Sequence, residues 1–279
     1  FGGEPLLHPQ FLDIAGYVKK RGLHGVVITN GTLLIRFAKE LVAMGWDELN
    51  ISIDAGKELH EKIRGLPGVF DTIMEGIEAV HVAKKEARRR LPLINIQCTI
   101  SRDNVGRLRE AVEVAHRVKA DSLTFHNLIF LGRDILGQQK RIDQVLGCSS
   151  GAWEGFVFEP GIDPKQLDIE IRTILKEAYP FAVDLYPNFS AKGLQEYYRD
   201  PNYMPSDYPC RCLSPWVCAY IFPDGSVRPC LNCTFSFGNV KEASFNRIWN
   251  SADAARYRTA LKKESLFPAC KRCTELYRY

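Results

Sequence analysis

Seven of the nine cysteines lie between Cys210 and Cys273, near the end of the chain. Cys212 and Cys230 are separated by seventeen residues, and Cys270 forms a CxxC pair with Cys273. Four thiolates with these spacings are able to hold one tetrahedral metal ion or one iron-sulfur cluster. Because the cysteine count is odd and the sequence shows no secretory signal peptide, we expect reduced thiols that bind metal rather than disulfides.

The segment between Cys212 and Cys230 predicts a β-hairpin. Asp224 and Gly225 stand between two short apolar runs, and Asp-Gly is a strong signal for a hairpin turn. A hairpin centred there brings Cys230 back beside Cys218. A second interpretation of the region is a structural zinc site, because a CxxC…CxxC pattern is typical of zinc ligands. Its ligands would be Cys230, Cys233, Cys270 and Cys273.

Strand and helix patterns alternate in the first half of the chain. Apolar runs predict strands at 26–32, 49–54, 94–100 and 122–130, and helices with one apolar face follow the first three. This alternation predicts an α/β fold with a mostly parallel sheet, open or closed into a barrel. Ligands of such folds gather where the strands end. Small or polar residues stand at five such places: Gly2, Gly3 and Glu4; Thr29, Asn30 and Gly31; Ser52 and Asp54; Ser101, Arg102 and Asn104; His126 and Asn127.

Two later segments show no clear period. Residues 131–163 are expected to form a loop or a lid-like insertion, and the Pro-rich residues 187–209 a linker. Between them the pattern predicts a helix near 167–178 and a strand at 182–186. His126 and Trp153 either line a pocket or pack at the edge of the core.

The composition excludes several kinds of partner. The 279 residues have a net charge of +4, and the one basic cluster, at 84–90, is typical of the solvated end of a helix rather than of a nucleic-acid site. No apolar run reaches the roughly eighteen residues that a membrane span needs. We therefore expect a cytoplasmic protein that binds neither membranes nor nucleic acid.

Three motifs stand out in combination: Gly2-Gly3-Glu4-Pro5-Leu6, Ser52-Ile53-Asp54 and Cys212-Leu213-Ser214-Pro215-Trp216. Together they resemble the motifs of radical S-adenosylmethionine (radical SAM) enzymes with a C-terminal SPASM or Twitch extension. The resemblance implies an α/β fold, a partial (β/α)6 barrel without its first strands, at residues 1–186. It also implies a linker at 187–209 and a small cysteine-rich domain at 210–279.

The resemblance further implies a site for S-adenosylmethionine (SAM). Gly2, Gly3 and Glu4, followed by Pro5, are expected at its methionine amino group, because glycine lets the backbone approach and a carboxylate suits an ammonium. Asn30 is expected either to line this site or to form a turn.

Two strands further on, Ser52 and Asp54 are expected at the ribose hydroxyls of SAM. Arg64 is either a partner of the methionine carboxylate or an exposed helix arginine. Asn104, like Asn30, is either a lining residue or a turn former.

The tail fits the single-cluster Twitch pattern, since a full SPASM pattern would have a cysteine where Tyr279 stands. One auxiliary [4Fe-4S] cluster is therefore expected, and Cys218 and Cys233 are alternative ligands. The four main ligands are Cys212, Cys230, Cys270 and Cys273.

The family's CxxxCxxC loop, which holds the catalytic [4Fe-4S] cluster, does not occur in these 279 residues. We expect an N-terminal truncation, so that the second cluster belongs only to the full-length chain and the chain itself is inactive.

The full-length protein is expected to be a radical SAM oxidoreductase or maturase. It would generate a 5′-deoxyadenosyl radical that oxidises or cross-links a peptide or small polar substrate, with an electron donor such as flavodoxin or ferredoxin. The alternative is a non-catalytic peptide-binding protein stabilised by zinc or an iron-sulfur cluster.

Overall fold

A computed structural model describes residues 3–206 and 208–278. It divides into two compact units. Unit 1 comprises the residues up to Leu128 together with Gly161–Asn188, and unit 2 comprises Ile129–Pro160 together with the residues from Phe189 onward. The second boundary of unit 1 falls close to the predicted barrel end at 186, whereas 129–160 groups with the cysteine-rich part of the chain.

Unit 1 is built on a five-stranded sheet in which every strand is parallel to its neighbours. The strands follow one another in chain order across the sheet. They are β1 (Val26–Thr29), β2 (Glu48–Ser52), β3 (Leu93–Thr99), β4 (Ser122–His126) and β5 (Ala182–Tyr186). The predicted α/β class with a parallel sheet is thus confirmed.

Helices connect these strands. Unit 1 contains α1 (Phe11–Lys20), α2 (Leu34–Met44), α3 (Lys57–Arg64), α4 (Val69–Glu86), α5 (Arg109–Arg117) and α7 (Pro164–Lys176), while α6 (Arg133–Leu146) belongs to unit 2.

The central strands and the helix faces that cover them form the core of unit 1. Leu49, Ile51, Ile96 and Phe125 are fully buried. Helices α2 and α4 approach so closely that a Cβ on Gly76 would lie 2.8 Å from Leu34 Cβ. Strand β1 is an edge strand whose residues alternate between exposed and buried, so only one of its faces contributes to the core.

Unit 2 combines short helices with a three-stranded antiparallel sheet. The strands are β6 (Tyr220–Ile221), β7 (Ser226–Arg228) and β8 (Gly238–Asn239), and the further helices are α8 (Ala191–Arg199), α9 (Ser214–Val217), α10 (Phe245–Trp249) and α11 (Ala252–Glu264). Strands β6 and β7 form the predicted hairpin, with Gly225 at φ 89° in its turn, where glycine is favoured. No helix in the described part of the chain is both long and apolar enough to cross a membrane.

Two predictions about irregular segments were wrong. The expected loop at 131–163 contains the fourteen-residue helix α6, and the expected linker at 187–209 contains α8. The buried face of α6 includes Gln139 and Asp143, so its apolar periodicity is interrupted. The buried residues of α8 include Gly193 and two tyrosines, which give an equally weak signal.

Candidate functional site

The parallel strands of unit 1 bring their carboxyl ends to one edge of the sheet. The register pairs Thr29 with Ile51, so Ser52 follows at the end of β2. Thr99 at the end of β3 pairs with His126 at the end of β4. The polar groups predicted at these strand ends therefore line the same edge, as expected for this architecture.

Glu4 is fixed to this edge by three hydrogen bonds. Its Oε1 accepts from the Leu6 N–H at 3.1 Å and from the Thr29 hydroxyl at 2.7 Å, and its Oε2 accepts from the Asn30 N–H at 2.7 Å. A carboxylate has about four acceptor positions. The described residues therefore leave one position on Oε2 for a further donor.

The residues around Glu4 form tight turns. Gly2 lies outside the described residues; Gly3 is exposed with φ 71°, and Pro5 begins the 3-10 helix Pro5–Leu7. The Asn30 side-chain oxygen accepts from the N–H of Thr32 at 2.9 Å and from its hydroxyl at 2.7 Å. The Asn30 side chain thus forms a turn, which is the second of its two predicted roles.

Asp54 and Arg64, predicted to contact different parts of SAM, are bound to each other. Arg64 Nε lies 2.8 Å from Asp54 Oδ2, and the Asp54 side chain is 5% exposed against 36% for Arg64. His60 Nδ1 accepts from the Asp54 N–H at 3.2 Å, and burial lowers the pKa of His60 despite the nearby carboxylate. Helix α3, which carries His60 and Arg64, thus holds the turn after β2.

Asn104 is fully buried and holds neighbouring loops together. Its Nδ2 donates to the carbonyls of Asp54 at 3.0 Å and Thr99 at 2.9 Å, and its Oδ1 accepts from the Ser101 N–H at 2.7 Å. Asn104 is thus a structural residue of the turn rather than an exposed lining residue. Ser52 is half-buried at the end of β2.

The two remaining candidate pocket residues belong to different units. His126 lies 2.5 Å from the Gln97 side-chain oxygen through Nε2, and burial lowers its pKa. Trp153 is 5% exposed and packs in the core of unit 2 against Phe156. The structure therefore does not support Trp153 as an exposed binding residue.

The thiols of unit 2 gather around one apolar core. Cys233 is a buried member of it, and Cys148, Cys212, Cys230 and Cys270 pack against it half-buried. Cys273 packs against an adjacent cluster that contains Ala269. All of these cysteines are free thiols.

Burial and mutual repulsion shift the acidity of these thiols. Burial first, and then the charges of Cys212 and other neighbours, raise the pKa values of Cys270 and Cys273, that of Cys273 to about 12. The Cys230 thiol donates to Cys233, which raises the pKa of Cys230 and lowers that of Cys233 to about 6. Several thiolates in such a site require a cation to hold them together.

Cys218 and Cys210 differ from this group. The hairpin brings the Cys218 segment alongside the Cys230 segment as predicted, since Tyr220 pairs with Arg228. Cys218 is half-buried and contributes to raising the pKa of Cys212, after the larger effect of burial. Cys210 is exposed.

Sequence reasoning missed Cys148. Its sulfur lies 3.5 Å from that of Cys233, although the two residues are 85 positions apart. Cys148 follows α6, which was itself predicted as a loop, and its spacing to the other cysteines fits no metal-binding pattern. The contact could be found only from the fold.

We call the group formed by Cys148, Cys212, Cys230, Cys233, Cys270 and Cys273 the cysteine centre. A buried polar network in α6 holds two of the segments that carry these cysteines. Asp143 accepts from the Ser150 N–H at 2.7 Å and from its hydroxyl at 2.8 Å. Gln139 donates to Asp143 at 3.1 Å and accepts from the Ala269 N–H at 3.2 Å. Ala269 directly precedes Cys270, so α6 positions both the Cys148 loop and the CxxC segment.

Arg272, between the two cysteines of the CxxC pair, is fully buried. Its guanidinium lies 4.0 Å from the ring centroid of Tyr197 and 4.6 Å from that of Phe130. It donates to the carbonyls of Pro201 and Asp200, which follow the end of α8. The CxxC spacer is thereby anchored in an aromatic and carbonyl-lined site.

The thiol set fits an iron-sulfur cluster in the type and number of its donors. Cluster ligands are thiolates, usually four. Zinc takes the same four thiolates, so the donor type alone fits either a cluster or a zinc ion.

Two family models match the chain. Residues 1–94 match the radical SAM superfamily, and residues 210–274 match SPASM, an iron-sulfur cluster-binding domain. The chain belongs to the radical SAM superfamily. The second match identifies residues 210–274 of this radical SAM protein as a SPASM region, and the members of its family are enzymes.

Relatives and solved structures agree with this assignment. The chain is 28% identical to the AdoMet-dependent heme synthase of Methanosarcina barkeri over 91% of its length and 68% of the relative's. It is 26% identical to the PqqA peptide cyclase of Rhizobium meliloti over 98% of its length and 64% of the relative's. A structure of anSMEcpe with bound AdoMet and a peptide shares its fold, with a TM-score of 0.60, 17% identity, and coverage of 100% of this chain and 73% of the other.

Proposed function

We propose that this chain is the SAM-binding and auxiliary-cluster part of a radical SAM oxidoreductase that oxidises or cross-links a peptide or small polar substrate. Its relatives include a peptide cyclase and a heme synthase, and a structural neighbour was solved with AdoMet and a peptide. Electrons would come from a donor protein such as flavodoxin or ferredoxin.

The observation that carries the proposal is the anchoring of Glu4. Three donors hold its carboxylate at the carboxyl edge of the sheet, and one acceptor position on Oε2 is left among the described residues. A carboxylate held in this way is preorganised for the ammonium group of SAM and loses little side-chain entropy on binding. Gly2, Gly3 and Pro5 would shape the backbone around it.

The ribose and carboxylate of SAM would be bound further along the same edge. Of Ser52 and Asp54, we assign Ser52, which is half-buried at the end of β2, to a ribose hydroxyl. Asp54 is bound to Arg64, so we assign these two residues to a shared role. The ion pair fixes the turn, and the partly exposed guanidinium offers its remaining donors to the methionine carboxylate.

The auxiliary [4Fe-4S] cluster would be held by Cys212, Cys230, Cys270 and Cys273, with Cys218 and Cys233 as alternative ligands. When bound, such a cluster can accept an electron from a substrate or ligate it directly. The apolar core of unit 2 would exclude water from the cluster, and Gln139 of α6 would fix the segment that carries Cys270. The catalytic cluster has no CxxxCxxC loop among these 279 residues, so we derive no step for it.

The proposed SAM site is tested by titrating the chain with SAM under anaerobic conditions in a calorimeter. Glu4→Gln should weaken binding by about tenfold or more, because a charge-assisted hydrogen bond contributes about 1.5–3 kcal/mol. The matched control is Glu58→Gln, an exposed residue of α3, which should bind SAM like the wild type. Equal affinity of the wild type and Glu4→Gln would contradict the assignment.

The reaction class is tested with the complete gene product, reduced anaerobically and supplied with SAM. Formation of 5′-deoxyadenosine supports a radical SAM reaction, and its absence from cluster-loaded protein would favour a metal-stabilised peptide-binding protein. Iron, sulfide and zinc are measured in the same sample, so a zinc-loaded protein is recognised directly.

A further inference from the structure

The contact between Cys148 and Cys233 joins two distant parts of unit 2. The sulfurs lie 3.5 Å apart, and the residues after each cysteine are joined by a pair of hydrogen bonds. Ser149 N–H donates to the Thr234 hydroxyl at 2.8 Å, and Thr234 N–H donates to the Ser149 carbonyl at 2.8 Å. The two backbones are therefore fixed side by side, and these hydrogen bonds keep the two cysteines close to each other.

The Cys148 loop is also immobilised from the other side. The Cys148 N–H donates to the Asp143 carbonyl at 3.0 Å, while the Asp143 carboxylate holds Ser150. All of these polar groups except the Ser149 and Thr234 pair are buried or half-buried. A loop fixed at three successive residues keeps its thiol in one place.

Both thiols lie outside the main ligand set that we propose for the auxiliary cluster. Cys148 also lies outside residues 210–274, which match the SPASM model. Cys148 is a half-buried residue and Cys233 is buried, with 6% of its surface exposed, so Cys148 is the more exposed residue of the pair.

We propose that Cys148 and Cys233 form a redox-active dithiol that closes to a disulfide by exchange with a low-molecular-weight disulfide. One of the two sulfurs attacks the small disulfide, giving a mixed disulfide and one small thiol, which takes up the proton of that cysteine. The other sulfur then attacks the first and releases the second small thiol, which takes up the proton of the second cysteine. The two protein thiols lose two electrons, and the small disulfide gains them.

The geometry suits this exchange. A disulfide requires a sulfur separation of about 2.05 Å, so the two sulfurs must approach by about 1.5 Å from their present contact. Two clamped thiols react with each other at an effective concentration in the millimolar range or higher. Closure would join α6 covalently to the SPASM region without using any of the four proposed cluster ligands.

The test maps disulfides in the chain after anaerobic equilibration with mixtures of oxidised and reduced glutathione. Samples are quenched in acid, denatured, alkylated and digested for mass spectrometry. In the wild type, the peptide pair that joins Cys148 to Cys233 should be the main cross-link, and alkylation of both residues should fall roughly tenfold. The matched variant Cys210→Ser, which removes an exposed thiol, should give the same result.

Cys148→Ser should abolish the cross-link and leave Cys233 alkylated, without lowering the iron and sulfide content of reconstituted protein. Full alkylation of both thiols in the wild type at every oxidant ratio would overturn the proposal, as would a Cys230–Cys233 or Cys270–Cys273 bridge as the main product. The wild-type map alone decides the matter if the variant does not fold. A chain that binds no iron but forms the bridge would contradict the proposed function and leave the dithiol standing.

Discussion

The strand edge of unit 1 and the cysteine centre of unit 2 solve the problem of burying polar groups in opposite ways. At the strand edge, acceptors meet donors: Glu4 binds three protein donors, and Asp54 binds Arg64. In the cysteine centre, thiols face other thiols: the hydrogen bond to Cys233 and then burial raise the pKa of Cys230, and burial and then neighbouring thiols raise that of Cys270. Glu4 and Asp54 thus find most of their partners within the chain, whereas the thiols of the second region become stable as thiolates only with a cation.

The two regions also differ in the secondary structure that positions their side chains. The strand edge follows from the register of one parallel sheet. The cysteine centre is instead assembled from a hairpin, the loop after α6 and two short 3-10 helices, Pro268–Arg272 and Thr274–Tyr277. Substituting one side chain should therefore have different consequences in the two regions: loss of bound metal in the cysteine centre and loss of stability at the strand edge.

The largest effect is expected from the double substitution Cys270→Ser and Cys273→Ser. It removes half of the proposed ligands, so nearly all of the auxiliary iron and sulfide should be lost on reconstitution, together with its visible absorption. The exposed Cys210→Ser is the control and should retain the wild-type content. Full iron content in the double variant would show that other thiols hold the metal.

At the strand edge, Arg64→Met should destabilise the chain by about 2 kcal/mol, measured by urea unfolding, because a hydrogen bond to a charged group contributes about 1.5–3 kcal/mol. The substitution leaves the buried Asp54 carboxylate without its cationic partner. Arg109→Met breaks an ion pair between exposed side chains and should leave the midpoint close to that of the wild type. Similar midpoints for both variants would show that the Asp54 site is more open to solvent than described.

The support of the cysteine centre is probed by Gln139→Leu. It leaves the Ala269 N–H without its acceptor and removes a donor to Asp143, which should cost about 2 kcal/mol. The auxiliary cluster should also be lost faster on exposure to a chelator, because the Cys270 arm is no longer fixed. Its exposed neighbour Gln138 supplies the control, since Gln138→Leu should change neither quantity.

The smallest effect concerns pH at the strand edge. Burial lowers the pKa of His60 in the folded chain, so the unfolded chain binds the proton more readily. The stability contributed by neutral His60 is present above about pH 6.5 and is lost as the pH falls below it, by at most about 1.4 kcal/mol per pH unit. In His60→Asn the urea midpoint should fall less steeply between pH 7 and 5, while the exposed His8→Asn should follow the wild type.

The strand edge was largely predictable because one rule generates it. Alternating strand and helix patterns place the ends of parallel strands together, and this rule predicts Glu4, Ser52 and Asp54 on the same edge. The rule says nothing about which side chains bind one another. The Asp54–Arg64 pair and the burial of Asn104 depend on where α3 and the loop after β3 pack, which apolar periodicity does not describe.

The cysteine centre was predictable in its composition and not in its supports. The Asp224-Gly225 turn correctly indicated the hairpin, and the spacings indicated a thiol site. The segment of α6 was predicted as a loop because Gln139 and Asp143 occupy the buried face of the helix, where apolar residues are expected. The contact of Cys148 with Cys233 followed from that helix and was missed with it.

The anchoring of Arg272 bears on how the CxxC pair could be redesigned. Arg272, one of the two residues between these cysteines, is not an interchangeable spacer, because it lies against aromatic rings and donates to carbonyls that follow the end of α8. Exchanging this dipeptide for one from a relative would remove the contacts of Arg272 that hold the C-terminal segment, although both cysteines would remain in the sequence. Grafts of this region should therefore carry α8 and its tyrosines along with the cysteines.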